Sequence, residues 1–375
     1  MKTLRYILMI LLLALSACSR YDHVKGVHIL MQKSEVHQRY GGEMGALADE
    51  LKKARVTHVI VPVLEGGTAF YPSDVLPQRW DFGTELLAFR HALRERDIDF
   101  VAQIPIFEDD YTYRSQPSLR AVNDFGTRSG SEQNNAICPS DPGYREYKLD
   151  VIDEVMLILQ PDGIYLDKLS FPIDFDDVCS DIQISHSRNY CFCSTCLNSF
   201  AAYASIDLPS NGSAADINQW ILDNYQNAWT RWKTGTITDF TEEAAKHIHN
   251  VNSQCTIMMS VLPWKEKDHN QGRQRLAGQD IKTLAPFVDN FILKTSCRMP
   301  DKKYEEIQQS LISELNNSAA RVIPTIHLEI DPAHSAEKDF QNSLQYFKHR
   351  VIVDDWGYLL KNRRYLNIFM TEPRL

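Results

Sequence analysis

The chain has 375 residues, 43% hydrophobic and 24% charged, an ordinary globular composition with enough apolar residues for one large domain or two modest ones. Its formal net charge of −9 excludes the basic footprint that a nucleic-acid partner requires. No run of five like charges, low-complexity tract or solenoid-length repeat interrupts it.

Met1 to Arg5 supplies a positive n-region, and Tyr6 to Leu15 is an apolar stretch too short to span a bilayer comfortably. Leu15-Ser16-Ala17-Cys18 then offers a small-residue cleavage site, so residues 1–17 read as a secretory signal peptide. The form L-S-A-C resembles the bacterial lipoprotein box, which implies that Cys18 is the lipidated first residue of the mature protein. An ordinary signal peptide with a coincidental cysteine is the alternative. Ser19 after the cysteine resembles the pattern of outer-membrane export. Cleavage takes Lys2 and Arg5 from the 40 basic residues, leaving 38 against 49 acidic ones, a balance of −11. The expected organisation is a signal peptide over 1–17, a tether over 18–23 and one domain over 24–375. A lipid then anchors the protein to the cell envelope without spanning it.

Strand and helix patterns alternate beyond the tether. VKGVHILM (Val24 to Met31) reads as a strand, Glu43 to Ala54 as an amphipathic helix, and THVIVPVL (Thr57 to Leu64) as a strand buried on both faces. Thr84 to Arg96 is helical, and IDFVAQIPIF (Ile98 to Phe107) is a third strand. Ser140-Asp141-Pro142 carries an N-cap region and a helix-start proline, for a helix running to about Leu159. Gly163 to Leu166 is the fourth strand. A cysteine-bearing segment and a long helix from Ile217 to about His249 follow. Strands five to seven are expected at Thr256 to Leu262, Val288 to Lys294 and Val322 to Glu329, with helices at Tyr304 to Leu315 and Glu337 to Arg350. Either Trp356 to Leu360 or Leu366 to Met370 is left to supply the eighth.

Such alternation implies parallel strands and right-handed crossovers. Seven or eight units in one chain fit a (β/α)8 TIM barrel with a cysteine-bearing insertion after strand 4. The rival is a doubly wound open sheet, but no G-x-G-x-x-G follows any expected strand.

A barrel presents its active-site residues at the C-terminal ends of its strands. Asp167 would be the last residue of the fourth strand, aimed into the mouth, while Lys168 faces away at first because adjacent strand residues alternate. A helix cap or an ion pair with Lys168 is the bland alternative. Other strand ends are polar as well: His28, Glu65, Glu108 to Asp110, Trp264 and Lys265, Lys294, and His327 with Glu329. Singly these are ordinary loop charges. Together, acids with aromatic neighbours suit carbohydrate, and His28, Glu65, Asp109, Lys168, Trp264, Lys294 and His327 are the substrate-binding candidates. Glycoside hydrolysis uses two carboxyl groups across the scissile bond, roughly 5–5.5 Å apart for retention and 6.5–9.5 Å for inversion.

The pattern ICPSDPGYREY…PDGIYLDKLSFP (Ile137 to Pro172) resembles bacterial hypothetical glycoside hydrolases of barrel type. Their motif is C/N-P-S-x-P-x-x-R-x-Y followed by D-G-I-x-x-D-x-x-R-x-P. Phe70-Tyr71-Pro72-Ser73 and Gly278-Gln279-Asp280 resemble the same group, and WKTGTITDFTEEA (Trp232 to Ala244) resembles exopolysaccharide-processing hydrolase barrels. The resemblance covers most of residues 24–330, with one departure: Ser170 stands where the family often has Arg. It implies that Asp167 is a catalytic carboxylate and that the substrate is a polysaccharide. Glu329, at the end of the seventh strand, is where many barrel glycosidases carry the second carboxylate, with Glu65 and Asp109 in reserve. Asp162 and Asp280 precede strands and suit structural roles. A non-catalytic glycan-binding barrel is the alternative function, and a metal-dependent hydrolase built on the cysteines is a third.

Cys179, Cys191, Cys193 and Cys196 crowd the segment after the fourth strand, the last three as C-x-C-x-x-C. Three thiols so close can converge on one tetrahedral zinc with a fourth from elsewhere, a closed and structural site. Cys179 is the nearest fourth ligand, with Cys138 and His186 as rivals. The run resembles the zinc cluster of some bacterial β-galactosidases. Disulfides are the alternative in an oxidising compartment. No organic cofactor is expected. Cys255 and Cys297 flank strands as core residues or as a pair.

Overall fold

The computed structural model describes residues 23–32, 34–78, 83–128, 135–173, 188–293, 301–316, 318–328, 337–347 and 350–371. Eight parallel strands close into a barrel: β1 (Val24–His28), β2 (His58–Pro62), β3 (Asp99–Pro105), β4 (Gly163–Asp167), β5 (Thr256–Val261), β6 (Asn290–Leu293), β7 (Arg321–His327) and β8 (Arg350–Asp354). Each pairs with its sequence neighbours, and β1 pairs with β8 to complete the ring, Val24 opposite Arg350 and His28 opposite Asp354. The expected (β/α)8 barrel is therefore present.

The eighth strand differs from expectation. It is Arg350–Asp354, directly after the expected helix, which stops at Tyr346 and not at Arg350, and before both expected candidates. Both expected candidates are helical instead, Trp356–Lys361 and Arg363–Thr371. The β-branched run Val351-Ile352-Val353 is the strand former there. Aromatic residues after it serve the outer shell: Trp356 packs edge-on against Phe369, and Lys25 on β1 donates to the Phe369 carbonyl oxygen at 2.5 Å.

Strand alternation sorts the side chains. Val24, Ile60, Val101, Tyr165, Met258, Ile292, Ile323 and Ile352 point inward and form one buried cluster, one residue from every strand. Their neighbours, such as Val27, Val59, Phe100, Leu166, Phe291 and Val353, point outward into the larger core beneath the helices. Counting inward positions upward from the interior cluster reaches His28, Gln103, Asp167, Ser260, Thr325, His327 and Asp354 at the C-terminal ends.

Several motif residues turn out to hold the scaffold. Asp141 caps the helix Pro142–Leu159, accepting from the Tyr144 N–H at 2.9 Å. Tyr71, Ser73 and the N–H groups of Asp74 and Val75 all bond the Glu154 carboxylate of that helix. Asp162 accepts from the Phe100 N–H at 3.0 Å, and Asp280 caps Ile281–Leu284. Both acids expected to be structural are so.

Gly26 occupies an inward position of β1, where a Cβ would lie 2.7 Å from Ile352 Cγ1. Both residues sit in a close-packed ring, so the contact has little room to relax. Gly26→Ala should lower unfolding free energy by about 1–3 kcal/mol, measured as a lower urea midpoint with an unchanged slope.

Candidate active site

The mouth of the barrel holds a continuous chain of polar side chains. Asp354 on β8 lies in register between His28 on β1 and His327 on β7, so backbone pairing alone places the three side by side. Its Oδ1 is 2.7 Å from His28 Nδ1, and its Oδ2 is 3.0 Å from His327 Nδ1. His28 Nε2 is 2.6 Å from Gln103 Oε1 on β3, and Gln103 Nε2 donates to Asp167 Oδ2 at 2.8 Å. The reach from β1 to β3 passes over β2, whose inward residues there are Ile60 and Pro62. Side chains from alternate strands meet in this way within a barrel.

Asp167 ends β4, as expected, and the residue is 5% exposed. Oδ1 accepts from the Lys168 N–H at 2.9 Å while Oδ2 accepts from Gln103. Lys168 has a left-handed φ of 52°, which turns the chain out of the strand and brings that N–H back onto the carboxylate. The Lys168 ammonium is exposed and pairs with Glu108 at 3.0 Å. Tyr165, two residues before Asp167, also faces inward. Burial first, then the charges of Asp167 and Asp354, push its phenol well above its ordinary value.

The charges around Asp354 follow from burial and pairing. Burial would raise its carboxyl, but the two imidazoles outweigh that and hold it well below the usual carboxylate range. Burial would lower His28, yet Asp354 and Gln103 together raise it above 6.5.

Other candidates are placed as follows. His327 lies at the mouth, about one-fifth exposed. Glu65 is exposed on a hairpin, Leu64–Glu65 with Thr68–Ala69, that follows β2. Asp109 is a correction: it is fully buried, caps the helix Asp110–Ser115 through the Thr112 N–H, and pairs with buried Lys148 at 3.1 Å. Its sequence position at a strand end did not reveal that a lysine from the next helix would claim it. Trp264 is also a correction. Its ring is buried, set edge-on to His269 and packed over Gly272, and so offers no open face to a sugar. Glu329, Lys294, Cys18, Cys179, His186 and Cys297 lie outside the described residues.

Gln103 and Asp354 were missed. Gln103 could have been found by its inward parity two residues after Val101. Asp354 was hidden by the misplaced eighth strand.

The cysteine cluster lies in the segments that follow β3 and β4, with Cys193 capping the helix Ser194–Ala204 and Cys196 in its first turn. Cys138, Cys191, Cys193 and Cys196 are buried with sulfurs all within 4.8 Å of one another. Among the described residues the fourth thiol is Cys138, after β3, one of the two rivals to Cys179 for that place. Sγ separations of 3.3 and 3.4 Å from Cys138 exclude bonded disulfides, and the described cysteines are free thiols. Four ligands about 2.3 Å from one ion would stand about 3.8 Å apart, so the cluster could hold one metal ion. The thiols of Cys138, Cys191 and Cys196 pull Cys193 far below its ordinary value, so one thiolate forms readily. Burial, then its thiol neighbours, push Cys196 up. Cys255 is a core residue whose thiol burial pushes up to about 12.

No protein-family model matches the sequence, and no curated protein matches it. Among solved structures, the chain is similar to the PgaB (BpsB) glycoside hydrolase domain from Bordetella bronchiseptica, with a TM-score of 0.65 and 12% identity over 92% of this chain and 98% of that one. A β-galactosidase from Rahnella sp. R3 gives 0.61 and 12% over 94% of this chain, and α-L-fucosidase isoenzyme 2 from Paenibacillus thiaminolyticus 0.58 and 13% over 92%. The chain spans 56% and 49% of those two proteins. At such identities the likeness establishes the shared barrel fold.

The His28–Asp354 pair also links stability to pH. A raised imidazole contributes fully below 6.5 and loses its contribution as pH rises through its folded-state value. A depressed carboxyl contributes above 3.8 and loses it as pH falls. The Tm difference between wild type and His28→Gln should be largest between these limits and shrink above 6.5, measured by calorimetry across a pH series.

Proposed function

We propose that the chain is a glycoside hydrolase that cleaves O-glycosidic bonds of a polysaccharide, with Asp167 as one of two catalytic carboxylates. The carrying observation is the placement of Asp167: the inward last residue of β4, with both oxygens accepting N–H bonds. Those bonds aim the carboxylate and suit its charged form, as a nucleophile, a general base or a stabiliser of an oxocarbenium-like transition state requires. The barrel shared with solved glycoside hydrolases supports this reading.

Glu329 is proposed as the second carboxylate from its position two residues after His327. His327, Lys168, Glu65 and Lys294 are proposed to bind or orient sugar, whereas both ring nitrogens of His28 are taken by Asp354 and Gln103. The substrate class, an exopolysaccharide or other polysaccharide of the cell envelope, and the lipid anchor at Cys18 in the outer membrane rest on the sequence patterns described above. The other reading is a catalytically silent barrel that binds glycan; it predicts binding without released reducing ends.

We further propose that the cysteine cluster holds a structural zinc through Cys138, Cys191, Cys193 and Cys196. Four sulfur ligands fill its coordination, so the ion would pin the loops after β3 and β4 and take no part in bond cleavage.

Asp167→Asn is isosteric. It should reduce release of reducing ends from a panel of polysaccharides by about a thousandfold or more, about 4 kcal/mol of transition-state stabilisation, with glycan affinity retained. Cleavage at the wild-type rate would remove Asp167 from the mechanism, and a silent wild type across the panel would favour the binding barrel. For the metal, elemental analysis of purified protein should find about one zinc per chain. Cys138→Ser should lower both zinc content and Tm, while Cys255→Ser should leave zinc content unchanged.

A further inference from the structure

Each bond in the chain from Asp354 to Asp167 has a direction. Asp167, as a carboxylate, only accepts. The Gln103 atom 2.8 Å away must therefore be its amide nitrogen, since the opposite orientation would set a carbonyl oxygen against a carboxylate oxygen. That leaves Gln103 Oε1 toward His28 Nε2 at 2.6 Å, and an amide oxygen is also only an acceptor. His28 Nε2 must then carry a proton. Its Nδ1 faces a carboxylate oxygen of Asp354 at 2.7 Å and must carry one as well.

We propose that His28 stands as an imidazolium donating from both ring nitrogens, and that His28 and Gln103 are positioning residues that aim Asp167 for the hydrolysis proposed above. This rests on that reading of Asp167. The titratable groups around His28 are Asp354 and its neighbour Asp355 from the end of β8, His327 from β7, and Tyr165 and Asp167 from β4. From β2 it meets the apolar residues Ile60 and Pro62. Asp354 is the direct counter-ion, with its second oxygen on His327. Loss of the His28 proton at high pH leaves one ring nitrogen without a hydrogen to donate. The Gln103 amide is then no longer held, and Asp167 loses the bond that aims Oδ2, while the Lys168 N–H still holds Oδ1.

Two variants separate this role from simple packing. Gln103→Met keeps volume and removes both bonds. Gln103→Glu keeps an acceptor for His28 but opposes a second carboxylate to Asp167. The ring nitrogens are read by NMR of protein labelled with 15N-histidine, and Asp167 by 13C-aspartate labelling, with signals assigned through His28→Gln and Asp167→Asn. Both nitrogens of His28 should be protonated at pH 6.5, and its midpoint should lie above 6.5. Gln103→Met should lower that midpoint and move the titration of Asp167. In hydrolysis it should lower kcat by tenfold or more with KM within about twofold. Gln103→Glu should shift the acid limb of the kcat profile to higher pH, because two adjacent carboxyls share a proton. A wild-type His28 midpoint at or below 6.5 overturns the imidazolium. Titration of Asp167, or kcat and its pH profile, unchanged in Gln103→Met overturns the positioning role. If the wild type cleaves nothing, the hydrolase reading fails by itself, and the two NMR titrations still decide the linkage.

Discussion

Closure of the barrel by β1 against β8 is the constraint on which the site depends. That single pairing brings residue 28 beside residue 354, although more than three hundred residues separate them in the chain. Once closed, the ring leaves no free edge, and every inward position is committed to a height above the interior cluster. The inward positions at the mouth then carry two histidines, two carboxylates and an amide within hydrogen-bond reach of one another. Without the β1–β8 register Asp354 would lose His28 as its partner, and a buried carboxylate without a counter-charge is costly. The polar mouth and the closed barrel are therefore mutually dependent.

The loops around the mouth are tied down by buried polar groups outside the strands. Gln279 shows the device most fully. Its amide donates to the carbonyl oxygens of Leu169 and Ser260 and accepts from the Leu262 N–H, joining the loop after β4 to the end of β5. Lys233 lies fully buried on the long helix Ala214–Val251, donating to Asn189 and to the Leu276 carbonyl while its ammonium sits over Phe171. Lys148 and Asp109 form a comparable buried pair on the other side. Such groups need complete partnering, since an orphaned one costs about 1–3 kcal/mol while a satisfied bond contributes about 1 kcal/mol. Their satisfaction makes the loops rigid supports for Asp167 and the cysteine cluster.

Much of this was legible in the chain. Seven of the eight strands fall where apolar runs placed them, because buried parallel strands need continuous β-branched and aromatic residues. Asp167 was legible from one strand ending in a carboxylate. The eighth strand was not, because its three-residue apolar core follows a helix closely and precedes richer aromatic patterns that in fact form the outer helices. Asp109 and Trp264 looked like site residues because strand ends in a barrel attract that reading. The structure buries both, one against Lys148 and the other beneath Gly272 and His269. Motif residues such as Tyr71, Ser73, Gln279 and Asp280 carry scaffold bonds, so a motif marks where side chains are constrained without saying whether chemistry or packing constrains them.

By itself the sequence determined the class of fold, the strand that delivers Asp167 and the presence of a thiol cluster, since each is encoded over a few consecutive residues by periodicity, strand alternation or close spacing. Only the tertiary structure decided that Cys138 completes the cluster, that Gln103 and Asp354 join His28 to Asp167, and that Asp109 is a buried cap. Those facts depend on register across the barrel and on which helix residue reaches a given loop. Distances of that kind are set when distant strands pair, and no local pattern in the chain records them.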